Sequence, residues 1–201
     1  MKKLLAVLAL ALVASPAYAV ITGSAHDLTS VANEELCAYC HTPHAAAAAV
    51  APLWNRTLIN PSANYTGTGT FSQNGANDYT GTDVALCLSC HDGATAMNAV
   101  VNMPNSVALA DATSVANNGV KFVNIGANLS NDHPVGFNFA DADTADGEIV
   151  DPGFGGAFAG VLTGGGLFQC SSCHDVHNND NGAFLVMSNA NSDLCLACHT
   201  K

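Results

Sequence analysis

The chain has 201 residues, and its five Lys and Arg against 16 Asp and Glu give a formal net charge of −11 at pH 7. This acidic balance leaves no basic patch for nucleic acid or for an anionic membrane surface, so both partners are disfavoured. Charged residues make up only 10% of the chain, against about a quarter in an average soluble protein. We therefore expect a surface that is acidic but sparsely charged.

The first 19 residues have the pattern of a secretory signal peptide. Two lysines precede a short apolar run, and Ala17-Tyr18-Ala19 supplies a small-x-small cleavage site. The run is too short to span a bilayer, and no later stretch reaches the roughly 18 apolar residues of a spanning helix. We predict that 1–19 are removed, that 20–201 form one domain, and that the protein is exported with no membrane span.

Large apolar side chains are scarce in this sequence. It has one Trp and eight Phe, while glycine and asparagine recur over 60–83, 117–138 and 147–166. Those residues are typical of turns and irregular connections, and loops of such length are uncommon in a compact domain unless something else organises them. The sequence predicts a mostly irregular, loop-rich fold with short helices and few strands, wrapped around a non-protein group that fills its interior.

All eight cysteines fall in four copies of the pentapeptide Cys-x-x-Cys-His, here called motif 1 (37–41), motif 2 (87–91), motif 3 (170–174) and motif 4 (195–199). Positions i, i+3 and i+4 of a helical turn share one face. Two thiols can therefore bond a haem while the histidine ligates its iron from the same side. Zinc sites and disulfide frameworks also use paired cysteines, but neither needs a histidine after every pair.

The motifs predict four covalently attached haem c groups. The bonding residues are Cys37, Cys40, Cys87, Cys90, Cys170, Cys173, Cys195 and Cys198. The proximal iron ligands are His41, His91, His174 and His199.

Four histidines lie outside the motifs: His26, His44, His133 and His177. A lone histidine is more often a surface residue than a ligand, but four irons need four distal ligands and the count matches. We predict that every iron is held by two histidines. Methionine is the competing axial ligand, and the chain offers Met97, Met103 and Met187.

His44 and His177 each follow a motif histidine by three residues. One helical turn beyond the proximal ligand, such a side chain stays on the proximal side of its own haem. It cannot reach the distal face, so we expect each of the two to ligate a different haem and to hold neighbouring haems together. Motifs 3 and 4 are close in sequence, which predicts that their haems are neighbours.

Saturated iron favours electron relay over catalysis. An enzyme acting on nitrite, hydroxylamine or peroxide needs an open coordination position, and the histidine count leaves none. We predict an electron-transfer protein with no catalytic residues. A multihaem reductase subunit remains a third reading that would require a high-spin haem.

The acidic segment 141–148 only loosely matches a calcium-binding loop, because Gly147 stands at the seventh position rather than the sixth. We interpret it as a solvated turn, and whether it binds a cation is left open.

The segments 35–44, 131–136, 170–177 and 194–199, which carry three of the motifs and His133, resemble those of polymerising outer-surface tetrahaem c-type cytochromes of metal-reducing bacteria. The resemblance implies a continuous stack of four haems in subunits that join head to tail as an extracellular conductive filament. It also implies that upstream multihaem cytochromes supply electrons and that acceptors such as metal oxides receive them. In that family a histidine of the next subunit completes one haem. By motif position this role falls to His44, with His26 as the second choice.

The alternative is a monomeric periplasmic tetrahaem shuttle that docks a redox enzyme. Such shuttles resemble compact, lysine-rich proteins with closely spaced motifs, and this chain departs on both counts. We therefore expect a secreted protein at the cell surface or outside the cell, with the periplasm as its location under the alternative.

Overall fold

The computed structural model describes residues 21–29, 35–46, 53–59, 79, 82–102, 124–150 and 166–200. All eight cysteines and all eight histidines lie in these ranges. The predicted signal peptide and Met103 lie outside them. No helix in the described part of the chain is long and apolar enough to cross a membrane.

Regular secondary structure is sparse in the described residues, and loops connect its short elements. The helices are α1 (Asp83–His91), α2 (Phe139–Ala145) and α3 (Asp193–Leu196), and the strands are β1 (Phe137–Asn138) and β2 (Leu167–Phe168). Single 3₁₀ turns lie at Cys170–Ser172 and Ala190–Ser192. The expectation of a loop-rich protein with short helices and few strands is confirmed at this level.

Helix α1 carries motif 2 in its second half and organises the first of two small cores. Asp83 lies in its first turn, where a carboxylate suits the positive end of the helix dipole. Its apolar side faces a buried tyrosine and a buried leucine from elsewhere in the chain. This first core consists of Tyr79, Val84, Ala85, Leu88 and Leu129.

The second core surrounds the two-stranded sheet. Strands β1 and β2 are antiparallel, and Phe137 is paired with Phe168, their rings stacked with centroids 5.2 Å apart. Phe139 and Ala142 of α2 complete this core. The cores also touch the motifs, since Cys170 packs on the first core and Cys173 and Cys198 pack on the second.

The acidic segment 141–148 corrects one interpretation from the sequence. Its first five residues belong to α2 and are not a solvated turn. The Asn138 side chain accepts a hydrogen bond from Ala140 N at 3.0 Å and caps the helix, while Phe139 and Ala142, three residues apart, are buried. Across the described ranges, no three His, Cys, Asp or Glu side chains gather as a site for a metal ion.

Single antiparallel bridges hold the chain at three motif histidines. The bridges are His41 with Trp54, His174 with Leu185 and Ile149 with His199. Each one fixes the backbone where a motif ends. A second segment of the chain therefore constrains the direction of each motif histidine's side chain.

Candidate haem-binding site

The four motifs share one local conformation. In motifs 1, 3 and 4 the histidine N–H donates to the carbonyl oxygen of the first cysteine, at 2.8 Å in motif 1 and 3.0 Å in the other two. Motif 2 forms the C-terminal end of α1. A hydrogen bond from residue i+4 to residue i is that of one helical turn. The two thiols and the imidazole of every motif therefore start from one face of a turn, as the spacing predicts.

The thiols of successive motifs are neighbours. All eight cysteines lie in described residues, and none forms a disulfide. Burial raises the pKa of Cys40 to about 12, with a smaller effect from the nearby Cys90 thiol. A hydrogen bond with Cys170 raises the pKa of Cys87 well above its usual value. Motif 1 therefore lies beside motif 2, and motif 2 beside motif 3.

The same arrangement continues to the last motif. Burial raises the pKa of Cys173 to about 11, and the Cys198 thiol of motif 4 adds to the effect. Neighbouring thiols thus link motif 1 to motif 2, motif 2 to motif 3 and motif 3 to motif 4, and we call this succession the row of motifs.

Three of the four motif histidines face a histidine from outside the motifs. The ring centroids are 6.1 Å apart for His91 and His26, 6.2 Å for His41 and His177, and 6.3 Å for His199 and His133. Each pair combines one predicted proximal ligand with one predicted distal ligand. Histidines that are distant in sequence are thus brought into pairs of almost equal spacing.

This spacing fits two imidazoles on opposite sides of one metal ion. A metal–nitrogen bond of about 2 Å, plus about 1 Å from the nitrogen to the ring centroid, places two such centroids about 6 Å apart. Rings in direct stacking contact lie nearer, as do those of His26 and Phe184 at 4.5 Å. The residues present therefore fit a haem iron held between the two histidines of each pair.

Backbone carbonyl groups orient one predicted distal histidine and one motif histidine. The His133 Nδ1 lies 2.9 Å from Pro134 O, and the His174 Nδ1 lies 3.0 Å from Ala183 O. Because a carbonyl oxygen can only accept, each Nδ1 carries the proton and donates it. In the neutral tautomer with its proton on Nδ1, Nε2 is the nitrogen that can bind a metal.

His26 is held in the neutral state by its surroundings. Burial lowers its pKa from 6.5 to about 4, and the charges of His91, His174 and His177 act in the same direction. Its ring stacks on Phe184, with the planes 17° apart. A neutral imidazole at pH 7 is ready to act as a ligand.

His44 and His174 are the two histidines that make no ring contact with another histidine. All eight histidines are described, and ring contacts join the other six. Both of these side chains are exposed. One predicted proximal residue and one predicted distal residue therefore make no ring contact with another histidine.

The segment 53–56 joins motif 1 to motif 2, and the sequence analysis did not identify it. Trp54 packs the edge of its ring against His41, with centroids 5.7 Å apart, and its Nε1 donates to Ser89 Oγ at 3.2 Å. Asn55 Nδ2 donates to Ala38 O at 2.6 Å. The signal available in the sequence is that the only Trp and the only Arg of the chain stand together here.

Motif 2 is joined to motif 3 by reciprocal hydrogen bonds. The Asp83 carboxylate accepts from Cys170 N at 3.1 Å and from Ser171 N at 2.8 Å. In return, Asp83 N donates to the buried side chain of Gln169 at 2.9 Å. Two helical turns that carry motifs are thereby fixed against each other, a relationship that no local spacing reveals.

Residues 161–201, which contain motifs 3 and 4, match the family model described as the doubled CXXCH motif. No curated protein matches the chain. The matched region and the repeated motif imply covalent binding of haem c. The chain thus contains a region like those of multihaem c-type cytochromes, which indicates an electron carrier rather than an enzyme.

Proposed function

We propose that the protein is a tetrahaem c-type cytochrome whose four irons are each held by two histidines, and that it relays electrons outside the cell as the subunit of a filament. Bound haem c supplies a one-electron couple between ferric and ferrous iron. The eight motif cysteines hold the four groups. The paired ligands within one chain are His91 with His26, His41 with His177 and His199 with His133.

The observation that supports this proposal best is the near-equal spacing of the three histidine pairs. The centroid distances span only 6.1 to 6.3 Å, although the distal residues come from three separate parts of the chain. Six of the eight predicted ligands thus take positions that suit two-histidine ligation. Methionine ligation is not needed at these three sites.

The proposal of electron relay follows from the two histidines proposed as ligands at each iron. Histidines on both sides of an iron leave no open position for a substrate, so electron transfer is favoured over catalysis. The row of neighbouring motifs supports a continuous stack of the four groups. The protein's part is to fix their separation and their electrostatic surroundings.

The two remaining histidines support assembly. Among the described residues, which include every histidine, His174 makes no ring contact with a predicted distal histidine, and His44 makes none with a motif histidine. Both are exposed. We assign His44 of one copy to the haem at motif 3 of the next copy. A contact between two different surfaces that does not close a ring generates an open fibre.

The position of His26 supports a ligand role within its own chain. Its ring lies 6.1 Å from His91 of the same chain and is half-buried. This favours His44 over His26 as the residue that joins two subunits.

The proposed location is the cell surface or the medium, after removal of 1–19. Upstream multihaem cytochromes would deliver electrons to the filament, and extracellular acceptors such as metal oxides would receive them. The acidic, sparsely charged surface is compatible with such inorganic acceptors and gives nucleic acid no basic patch.

The test compares wild-type protein with two variants, His44→Ala and His26→Ala, produced with intact haem attachment. Electron cryomicroscopy of the secreted material reports assembly, and absorption spectra report the iron spin state. Wild type should form filaments with only low-spin irons. His44→Ala should give discrete particles with one high-spin iron per chain. His26→Ala, the matched control, should gain one high-spin iron and still polymerise.

Other results would change the conclusion. Discrete wild-type particles with only low-spin irons would establish the periplasmic shuttle instead. A high-spin iron in assembled wild-type filaments would favour a catalytic function, because it would leave an open coordination position. Polymerisation that survives in His44→Ala but is lost in His26→Ala would transfer the interface role to His26.

A further inference from the structure

Arg56 is a buried cation in an acidic protein. Its side chain has no exposed surface, and it is the only Lys or Arg within the described ranges. The guanidinium donates to Met97 O and to Ala96 O, both at 2.7 Å, and to Ser89 O at 3.1 Å. These three acceptors are neutral carbonyl groups, which fix the side chain in place without cancelling its charge.

The guanidinium lies at the junction of motifs 1 and 2. Ser89 belongs to motif 2, while Asn55, the neighbour of Arg56, donates its N–H to Cys40 O of motif 1 at 2.8 Å. Burial raises the pKa values of Cys40 and Cys90, and the Arg56 charge partly offsets this rise at both thiols. A positive charge is therefore hydrogen-bonded to motif 2 and lies one residue along the chain from the contact with motif 1.

Asp83 occupies the equivalent place at the junction of motifs 2 and 3. Its carboxylate accepts from two backbone N–H groups of motif 3, and it lies in the first turn of the helix that carries motif 2. Burial raises its pKa, while the hydrogen bonds from Ser171 and Cys170 lower it. The Asp83 charge also contributes to the raised pKa of Cys87.

We propose that Arg56 and Asp83 are positioning residues of opposite electrostatic effect: Arg56 raises the reduction potential at the junction of motifs 1 and 2, and Asp83 lowers it at the junction of motifs 2 and 3. The inference rests on the proposed four-haem function. It concerns differences among the reduction potentials of the four haems, which identical ligands alone would leave equal.

The sign follows from the charge that reduction adds. Each reduction step adds one electron to one iron, and in a titration that electron comes from dithionite. A fixed positive charge in a low-dielectric interior stabilises the electron-rich state, and a fixed negative charge disfavours it. Arg56 is buried and Asp83 is partly buried, so salt screens both charges less than it screens fully exposed ones.

The experiment is a potentiometric titration of purified holoprotein, followed by visible absorbance, for wild type, Arg56→Gln, Arg56→Lys and Asp83→Asn. In Arg56→Gln, one or two of the four steps should move to lower potential. At the wild-type midpoint of those steps, the ratio of oxidised to reduced haem should rise about tenfold, equivalent to about 59 mV for one electron. Arg56→Lys keeps the charge and should restore most of the wild-type titration.

Asp83→Asn tests the opposite effect, because it removes a negative charge with little change in side-chain shape. A different subset of steps should move to higher potential, with the ratio falling by a similar factor. Loosening of the fold would admit water in both variants and move both in one direction. Shifts of the same sign in Arg56→Gln and Asp83→Asn, or equal shifts in Arg56→Gln and Arg56→Lys, would overturn the proposal.

Haem content and spin state keep this test separate from the proposed function. Mass spectrometry and the pyridine haemochrome spectrum count the haems in every variant before titration. Fewer than four haems, or high-spin iron within wild-type filaments, would contradict the proposed function. Four low-spin haems with potentials insensitive to both charges would contradict only the electrostatic roles of Arg56 and Asp83.

Discussion

The ring of His177 faces the ring of His41, with centroids 6.2 Å apart and planes within 17° of each other. His177 follows motif 3, yet it does not turn back to the motif that precedes it. It lies instead beside the histidine of motif 1. The pair therefore links two motifs that are widely separated in sequence, and it gives His177 a role that can be tested on its own.

Replacing His177 by alanine should leave one iron with a single protein ligand. About a quarter of the haem absorbance should then change from low-spin to high-spin, since one of four sites loses its distal imidazole. The reduced protein should also bind one carbon monoxide per chain more than wild type of the same assembly state. Absorption and paramagnetic resonance spectra measure both changes.

Asp175→Asn is the matched control for this variant. The Asp175 carboxylate lies 3.9 Å from His177 Nδ1, and both side chains are about half-exposed, so this ion pair contributes little. Asparagine keeps the Oδ1 that accepts from His177 N at 3.0 Å. The control should retain the wild-type spin state. A His177→Ala protein with wild-type spectra and no added carbon monoxide binding would show that His177 is not a ligand.

Trp54→Phe should weaken the contact between motifs 1 and 2 without removing it. Phenylalanine keeps an aromatic ring near His41, but it loses the hydrogen bond from Nε1 to Ser89 Oγ. We expect a loss of about 1 kcal/mol in the free energy of unfolding. Trp54→Ala, which also removes the packing, should lose about 3 kcal/mol or more. Urea unfolding of the holoprotein measures both.

The hydrogen bond itself is isolated by a double-mutant cycle with Ser89→Ala. If Trp54 and Ser89 act together, the double variant should be less destabilised than the sum of the single variants. Strict additivity would show that the indole N–H contributes nothing through Ser89.

Local features of this protein follow from its sequence, and long-range ones do not. The turn conformation of every motif is set by the spacing of its own five residues, and it was predictable for that reason. The pairing of His41 with His177 depends on how distant loops pack, which no periodicity records. Asn138 caps a helix across an acidic stretch that composition alone suggests is a turn. The bridging roles of Trp54 and Arg56 likewise arise only once motif 1 lies beside motif 2.

Gln169→Ala should destabilise the junction of motifs 2 and 3. The Gln169 side chain is 4% exposed and accepts the hydrogen bond from Asp83 N at 2.9 Å. Its removal leaves a partly buried donor without this acceptor, which costs about 1–3 kcal/mol. Thermal or urea unfolding of the holoprotein measures the loss.

Asn181→Ala provides a comparison at the surface. Its amide also makes a hydrogen bond of 2.9 Å, to Leu185 O, but the residue is exposed. Water can replace that bond, so the change should stay within about 0.5 kcal/mol. Equal effects of the two substitutions would contradict a special role for the Gln169–Asp83 contact.

Gly136→Ala should be among the most damaging single-methyl additions in the described core. Gly136 has φ +78°, and a Cβ atom there would overlap the ring of Tyr79, which is fully buried. The left-handed backbone costs an alanine about 1–2 kcal/mol, and displacing a packed ring costs about 1–3 kcal/mol more. Gly182 has nearly the same φ, +73°, with no atom within 4 Å of an added Cβ. Gly182→Ala should therefore show only the backbone cost when both variants are unfolded in urea. A Gly136→Ala protein no less stable than Gly182→Ala would mean that Tyr79 does not pack against this turn.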